Sequence, residues 1–144
     1  MAILSLEDLY SDEQAITATA ASTNIIDHGA PGTWVHSSVA ITDEKGNSMI
    51  PLAIQVTEDF NNLTSLDIAF QIDTDAAFSS ATTRYTETIA LASLIAGQKT
   101  SVRMIPFNST EWFSRIGYTV TGSAPTTGKI TAGIICLETP WGNR

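Results

Sequence analysis

The stretch S-L-D-I-A-F-Q-I, from Ser65 to Ile72, decides the fold class of this chain. Leu66, Ile68, Phe70 and Ile72 alternate with smaller or polar residues, and a period of two predicts a β-strand with one buried face. The same period recurs in two further runs, Ile50-Leu52-Ile54-Val56 and Ile116-Tyr118-Val120. The alternation therefore predicts an all-β domain.

Turn residues separate the alternating runs along the rest of the chain. About eight short strands with turn signals every 8–12 residues are typical of a β-sandwich or barrel. Leu91, Leu94 and Ile95 have helical spacing before Gly97 and predict one short helical turn within Ala90–Ala96. The predicted strands are residues 14–27 (one strand or two short ones), Thr33–Ile41, Met49–Thr57, Leu66–Ile72, Arg84–Ile89, Thr100–Phe107, Trp112–Thr121 and Lys129–Glu138.

The predicted core consists of the inward-facing members of these strands. It comprises Ile54, Val56, Leu66, Ile68, Phe70, Val102, Ile116, Tyr118, Val120, Ile130 and Ile134. At 144 residues the chain is one domain that can bury roughly 70% of its unfolded surface without a disulfide. The single cysteine, Cys136, lies in an apolar run and is expected to be a small buried hydrophobe.

Residues 1–13 are expected to form an N-terminal arm ahead of a β-sandwich domain at 14–138, with a C-terminal tail at 139–144. Ser5, followed by Glu7 and Asp8, predicts a cap for a single helical turn in the arm. The arm is too apolar to stay in solvent, and we expect it to contact a neighbouring subunit or other protein. The candidate interface residues are Ile3, Leu4, Leu6, Leu9, Tyr10, Phe60 and Trp141.

Charge and hydropathy narrow the possible partners. The net charge is −8, from fifteen acidic against seven basic residues, and the bases form no run that would track phosphates. We therefore expect no direct nucleic-acid binding. The N-terminus lacks a signal-peptide pattern, and no run of eighteen apolar residues predicts a membrane span. Cytoplasmic synthesis without membrane contact is the expectation. Charged residues are only 15% of the chain, which suits faces that meet other protein.

No set of residues predicts an enzyme, a metal site or a cofactor. Asp67, Asp73 and Asp75 lack the glycine and glutamate spacing of a calcium loop, so a structural turn is favoured. Asp27, His28 and His36 lack the fourth ligand and the spacing of a structural zinc site, and neither histidine has an adjacent serine elbow or paired acid.

Three tryptophans, Trp34, Trp112 and Trp141, leave a second interpretation open. Indole rings stack on sugar faces, as they do in carbohydrate-binding jelly rolls, but packing in a core or subunit interface is the favoured explanation.

Several segments together resemble the capsid cement, or decoration, proteins of tailed bacteriophages. The most specific is S-D-E-Q-A-I-T-A-T-A-A-S-T-N-I-I-D at Ser11–Asp27. In the same order follow V-T-E-D-F-N at Val56–Asn61, I-D-T-D-A-A-F-S-S-A-T at Ile72–Thr82, L-A-S-L-I-A-G at Leu91–Gly97, F-S-R-I-G-Y-T-V at Phe113–Val120 and G-K-I-T-A-G-I at Gly128–Ile134. His28–Ser48 is longer and more polar than in the family, and the tail after Glu138 is extra.

The resemblance implies a jelly-roll-like β-sandwich that assembles as a homotrimer. It implies a location on the outer capsid surface of a virion made in a bacterial cytoplasm, with the major capsid protein as partner. The trimer would stabilise contacts between major capsid subunits. The alternative from another class is a carbohydrate- or receptor-binding jelly-roll module of a phage tail.

Overall fold

The computed structural model of the chain describes residues 2–28, 48–100, 103–107 and 113–137. These residues form nine β-strands and one 3₁₀ turn. The strands are β1 (Ala2–Ala15), β2 (Ala20–Ala21), β3 (Ile26–Asp27), β4 (Ser48–Glu58), β5 (Leu63–Asp73), β6 (Thr82–Ala90), β7 (Arg103–Phe107), β8 (Phe113–Gly122) and β9 (Lys129–Leu137). The predicted all-β class is confirmed.

Two antiparallel sheets share the strands. Sheet I has the order β1-β9-β4-β7, and sheet II has the order β2-β8-β5-β6 with β3 also paired to β8. If β2 and β3 are counted as one interrupted strand and the eight strands are lettered B to I, the sheets read BIDG and CHEF. This is the strand order of a jelly roll, in which two Greek keys form a sandwich.

The core lies between the two sheets and follows the predicted alternation. Along β5, Leu66, Ile68, Phe70 and Ile72 are at most 1% exposed, whereas the residues between them are partly exposed. Eight residues of the predicted core are buried: Ile54, Val56, Leu66, Ile68, Phe70, Ile116, Tyr118 and Ile130. Val120 and Ile134 pack against them as partly buried residues. Val102 lies outside the described residues, as does the predicted strand Thr33–Ile41.

The helical turn predicted within Ala90–Ala96 is confirmed as a 3₁₀ turn at Leu91–Ser93. Leu94, which follows it, is 1% exposed and closes one end of the core. The chain then turns at Gly97, whose φ is +88°, and residues 97–100 continue along β4 with hydrogen bonds such as Thr100 N to Ile54 O.

The predicted N-terminal arm with a helical turn is wrong for the described residues. Residues 2–15 form β1, an edge strand of sheet I that pairs with β9. The pairing is interrupted between Leu4 and Leu9 and again around Ser11, so β1 is strongly bulged. Because its partner lies more than a hundred residues away, local sequence carries no signal for this ladder. The sandwich therefore begins within residues 1–13 instead of after them.

Candidate interaction surfaces

The structure describes the side chains of three of the seven predicted interface residues. Leu9 and Phe60 are each 7% exposed and Tyr10 is fully buried, so these side chains pack within the chain itself. Ile3, Leu4 and Leu6 lie in β1. The structure describes side chains of β1 only from Leu9 onward, so those of these three residues lie outside it. Trp141, like the other two tryptophans, lies outside the described residues.

The loop around Phe60 is held rigidly against the turn that precedes β9. The ring of Phe60 lies where a Cβ on Gly128 would be, and Gly128 has φ +131°. Asn61 Oδ1 accepts hydrogen bonds from the backbone N–H groups of Thr126 (2.8 Å) and Thr127 (3.3 Å). These contacts connect the Phe60 loop to the turn before β9 and stabilise that end of the sandwich.

Tyr10 crosses the core from sheet I to sheet II. Its ring meets that of Phe70 edge-to-face, with centroids 5.9 Å apart, and its hydroxyl lies 2.7 Å from Ser114 Oγ. Ser114 Oγ is in turn 2.6 Å from His28 Nε2. A buried phenol, a buried hydroxyl and a half-buried imidazole thus form one hydrogen-bonded chain, which satisfies polar atoms that would be costly to bury alone.

The pairing of Ser114 with His28 is a contact that sequence reasoning missed, because 86 residues separate the two. Nucleophilic catalysis requires a serine that a substrate can reach. Ser114 is fully buried, and its hydroxyl is shared with Tyr10. The arrangement therefore holds β3, β8 and β1 together instead of presenting a nucleophile.

A second polar contact joins the sheets at Ser11 and Tyr118, whose oxygens lie 2.7 Å apart. Ser11 Oγ donates its proton to Gln14 Oε1 at 2.7 Å, so the Tyr118 hydroxyl must donate to Ser11. Burial raises the pKa of Tyr118 above its usual value of 10.0, because the phenolate would lose its hydration.

Residues 22–24, in the segment between β2 and β3, are hydrogen-bonded to both β1 and β8. The Ser22 hydroxyl donates to Asn24 O and accepts from the N–H of Ile116, while Asn24 Nδ2 donates to Leu9 O. Gln14 Oε1 also accepts from Thr23 N. Gln14, Ser22 and Asn24 of the Ser11–Asp27 motif therefore make side chain-to-backbone contacts within the fold.

In the turn after β5, called the Asp73 turn here (residues 73–80), backbone N–H groups donate hydrogen bonds to the acidic side chains of the turn itself. Asp73 accepts hydrogen bonds from the N–H of Ser80 (2.9 Å) and of Asp75 (3.1 Å), and Asp75 accepts from Ala77 N (3.1 Å) and Ser79 Oγ (2.9 Å). The N–H of Ser80 in particular lowers the pKa of Asp73; partial burial opposes this, and the N–H groups of Asp75 and Thr74 add to it. Asp67 lies six residues earlier on β5, roughly 20 Å away along a strand. Asp67 is therefore not brought together with the two acids of the turn.

The same turn places Phe78 beside β8. Phe78 has φ +53° and is 7% exposed. The guanidinium carbon of Arg115 lies 4.4 Å from the centroid of its ring, and Arg115 Nε donates to Gln71 Oε1 at 2.8 Å. Three elements, β5, β8 and the turn, thus fix one cationic side chain on the outside of sheet II.

The outer face of sheet II is composed mostly of small and hydroxyl side chains. Its exposed or half-buried members include Ser65, Asp67, Ala69, Gln71, Thr86, Thr88, Ala90, Arg115, Gly117, Thr119 and Thr121. Asp67 and Arg115 are the charged members of this set. A shallow depression of about 280 Å³ lies on this face beside Arg115 and Gly117.

A second cleft, of about 320 Å³, lies at the open side of the sandwich between β6 and residues 98–100. Its lining mixes Val56 and Ile89 with Glu87 and Lys99. Glu87 accepts a hydrogen bond from the Tyr85 hydroxyl at 2.8 Å. Within the described ranges, no group of three or more His, Cys, Asp or Glu side chains is placed to hold a metal ion. No helix in the described part of the chain is long and apolar enough to cross a membrane.

Comparison with known proteins assigns the chain to a family. The family model described as Bbp16 matches residues 10–134, which begin at the buried Tyr10 and extend into β9. The chain belongs to the Bbp16 family. The part that matches Bbp16 contains the inter-sheet polar contacts, the Asp73 turn and all of sheet II. No curated protein shows significant similarity to the chain.

Proposed function

We propose that this Bbp16-family protein is a capsid cement protein of a tailed bacteriophage. As a homotrimer on the outer capsid surface, it bridges neighbouring major capsid subunits. The bacteriophage assignment rests on the order and spacing of the motifs between Ser11 and Ile134. The jelly-roll sandwich agrees with the fold that those motifs imply.

The observation that carries the proposal is the outer face of sheet II. On a chain with net charge −8, this face has few charges and many small side chains. Charge depletion is the compositional mark of the centre of a protein–protein interface. The overall acidity also opposes contact with packaged DNA and favours the outer surface of a shell.

Such a protein works without covalent chemistry. A rigid body that binds the assembled lattice and not the free subunits stabilises the lattice by mass action. Three copies that bind together gain avidity, so weak contacts in each copy are sufficient. The rigid body is provided by the two hydrogen-bonded sheets and the polar chains between them.

Co-sedimentation with undecorated phage shells tests the proposal. The wild-type protein is expected to sediment with the shells. Ala69→Glu, which places a charge in the middle of the outer face of sheet II, is expected to sediment much less. Sedimentation equilibrium of the free Ala69→Glu variant separates a lost shell contact from lost trimerisation. Ala124→Glu is the matched control, since Ala124 is exposed in the loop before β9. Absence of wild-type binding to its cognate shells would refute the cement function.

The alternative, a carbohydrate- or receptor-binding module of a phage tail, depended on exposed tryptophans, and all three lie outside the described residues. Glycan-array binding that is lost on tryptophan substitution would favour it over the cement function.

A further inference from the structure

Arg115 is held in one orientation on the outer face of sheet II. Its Nε donates to Gln71 Oε1 at 2.8 Å, and its guanidinium carbon lies 4.4 Å from the centroid of the Phe78 ring. Phe78 is itself fixed by the Asp73 turn, where its N–H donates to Asp75 O at 3.0 Å. An arginine fixed in advance loses less side-chain entropy when it binds a partner.

The terminal nitrogens of this guanidinium are not used by the described residues. Arginine has five N–H donors, and the hydrogen bond to Gln71 takes the one on Nε. In the described part of the chain, Arg115 has no ion pair with a carboxylate. The two terminal amino groups therefore form a planar fork that matches a carboxylate.

The surroundings leave room for an incoming side chain. The lining of the depression of about 280 Å³ beside Arg115 includes the short residues Ala20, Ala21 and Gly117, together with Gln71. These side chains are too short to cover the fork. A carboxylate from outside the chain can reach it without displacing any of them.

We infer that Arg115 binds a carboxylate of a second copy of this chain across the subunit interface. The inference rests on the proposed homotrimer and assigns it an anchoring residue. The charge of the chain favours its own copy as the partner: fifteen acidic residues face seven basic ones. Exposed carboxylates occur, for example, at Asp12 and Glu13 of β1. In a closed ring of three, each interface joins two different patches, as a basic site on sheet II and an acidic edge on sheet I would do.

Sedimentation equilibrium of the free protein tests the inference. Arg115→Glu is expected to weaken self-association by at least about tenfold, because it replaces an attraction with a repulsion. Lys99→Glu is the matched control: it makes the same change at an exposed base beside β4, and wild-type self-association is expected. Circular dichroism checks that both variants fold. If Arg115→Glu does not fold, Arg115→Lys and Arg115→Gln replace it, again with weaker association expected.

Three results would overturn the inference: a monomeric wild-type protein, wild-type association of the Arg115 variants, or an equal effect of the Lys99 variant. In the second of these cases, loss of shell binding by the same variants would assign Arg115 to the capsid subunit instead. The measurement needs no shells, so its outcome is separate from that of the cement function. Failed shell binding with an Arg115-dependent oligomer would refute the function and keep the inference.

Discussion

The hydroxyl of Ser11 has one proton, which it donates to Gln14, so it depends on Tyr118 for the hydrogen bond that it accepts. Ser11→Ala leaves the Tyr118 hydroxyl without this acceptor in the core and is expected to cost about 1–3 kcal/mol of unfolding free energy. Removing both groups in Ser11→Ala/Tyr118→Phe leaves no unpaired Tyr118 hydroxyl. The double variant should therefore be more stable than the sum of the single effects predicts, as urea unfolding will show. Strict additivity would mean that the two hydroxyls do not interact.

Gly128 tests how tightly Phe60 is packed. A Cβ on Gly128 would overlap the Phe60 ring, and its φ of +131° is unfavourable for other residues. We expect Gly128→Ala to destabilise the fold by about 2–4 kcal/mol through steric overlap and backbone strain. Gly97→Ala is the control, because φ is also positive but no atom lies within 4 Å of the new Cβ. It should cost about 1–2 kcal/mol, from backbone strain alone. Equal losses in denaturant unfolding would contradict the packing argument.

At the scale of elements, β1 divides into a dispensable and an indispensable part. Its pairing with β9 is interrupted between Leu4 and Leu9, and Tyr10, beyond the interruption, is fully buried. Deleting residues 2–8 is expected to leave a folded sandwich. Deleting residues 2–10 should cost at least about 3–5 kcal/mol, since it also removes a core aromatic side chain. Thermal unfolding of both variants measures the difference, and a folded protein without Tyr10 would refute the core role of β1. The shorter deletion is therefore the one with which to test shell contacts made by the N-terminus.

The Asp73 turn makes stability depend on acid. The folded pKa of Asp73 is lowered, chiefly by the N–H of Ser80, so its contribution is complete above the unfolded value of 3.8. It is lost as the pH falls through the folded pKa. Asp73→Asn should be less stable at neutral pH and show a flatter decline as the pH falls through and below 3.8. Urea unfolding measured at several pH values provides the slope. If Asp73→Asn keeps the wild-type slope, Asp73 does not contribute to the pH dependence of the unfolding free energy.

Elements that bury one face were predictable from sequence, whereas contacts between distant elements were not. The alternation at Leu66–Ile72 directly reports burial, and the spacing of Leu91 and Leu94 reports the 3₁₀ turn. The predicted arm failed because bulges in β1 break the period of two, and its ladder with β9 spans almost the whole chain. Arg115 on Phe78 and Ser114 on His28 likewise join residues 37 and 86 positions apart in the numbering, and composition or periodicity gives no sign of either.

The molecule as a whole is built from long-range pairing. Sheet I places β9 between β1 and β4, so its central ladder cannot form before the last described strand is present. Folds dominated by such non-local contacts fold in milliseconds to seconds. We expect refolding in that range by stopped-flow circular dichroism, and a microsecond relaxation to the native signal would contradict it.

The buried phenol of Tyr118 also gives the molecule a built-in optical reporter. Exposed tyrosines ionise near pH 10, whereas the raised pKa of Tyr118 keeps its ring neutral in the intact sandwich at that pH. Near pH 10 the folded chain therefore keeps the Tyr118 proton, whereas the unfolded chain releases it. The contribution of Tyr118 to the free energy of unfolding is complete below the unfolded pKa and is lost as the pH rises toward the folded pKa. An alkaline titration followed by phenolate absorbance should show a late, cooperative step whose amplitude is smaller in Tyr118→Phe. The same step, read on decorated shells, would show whether attachment to a lattice delays the opening of the sandwich.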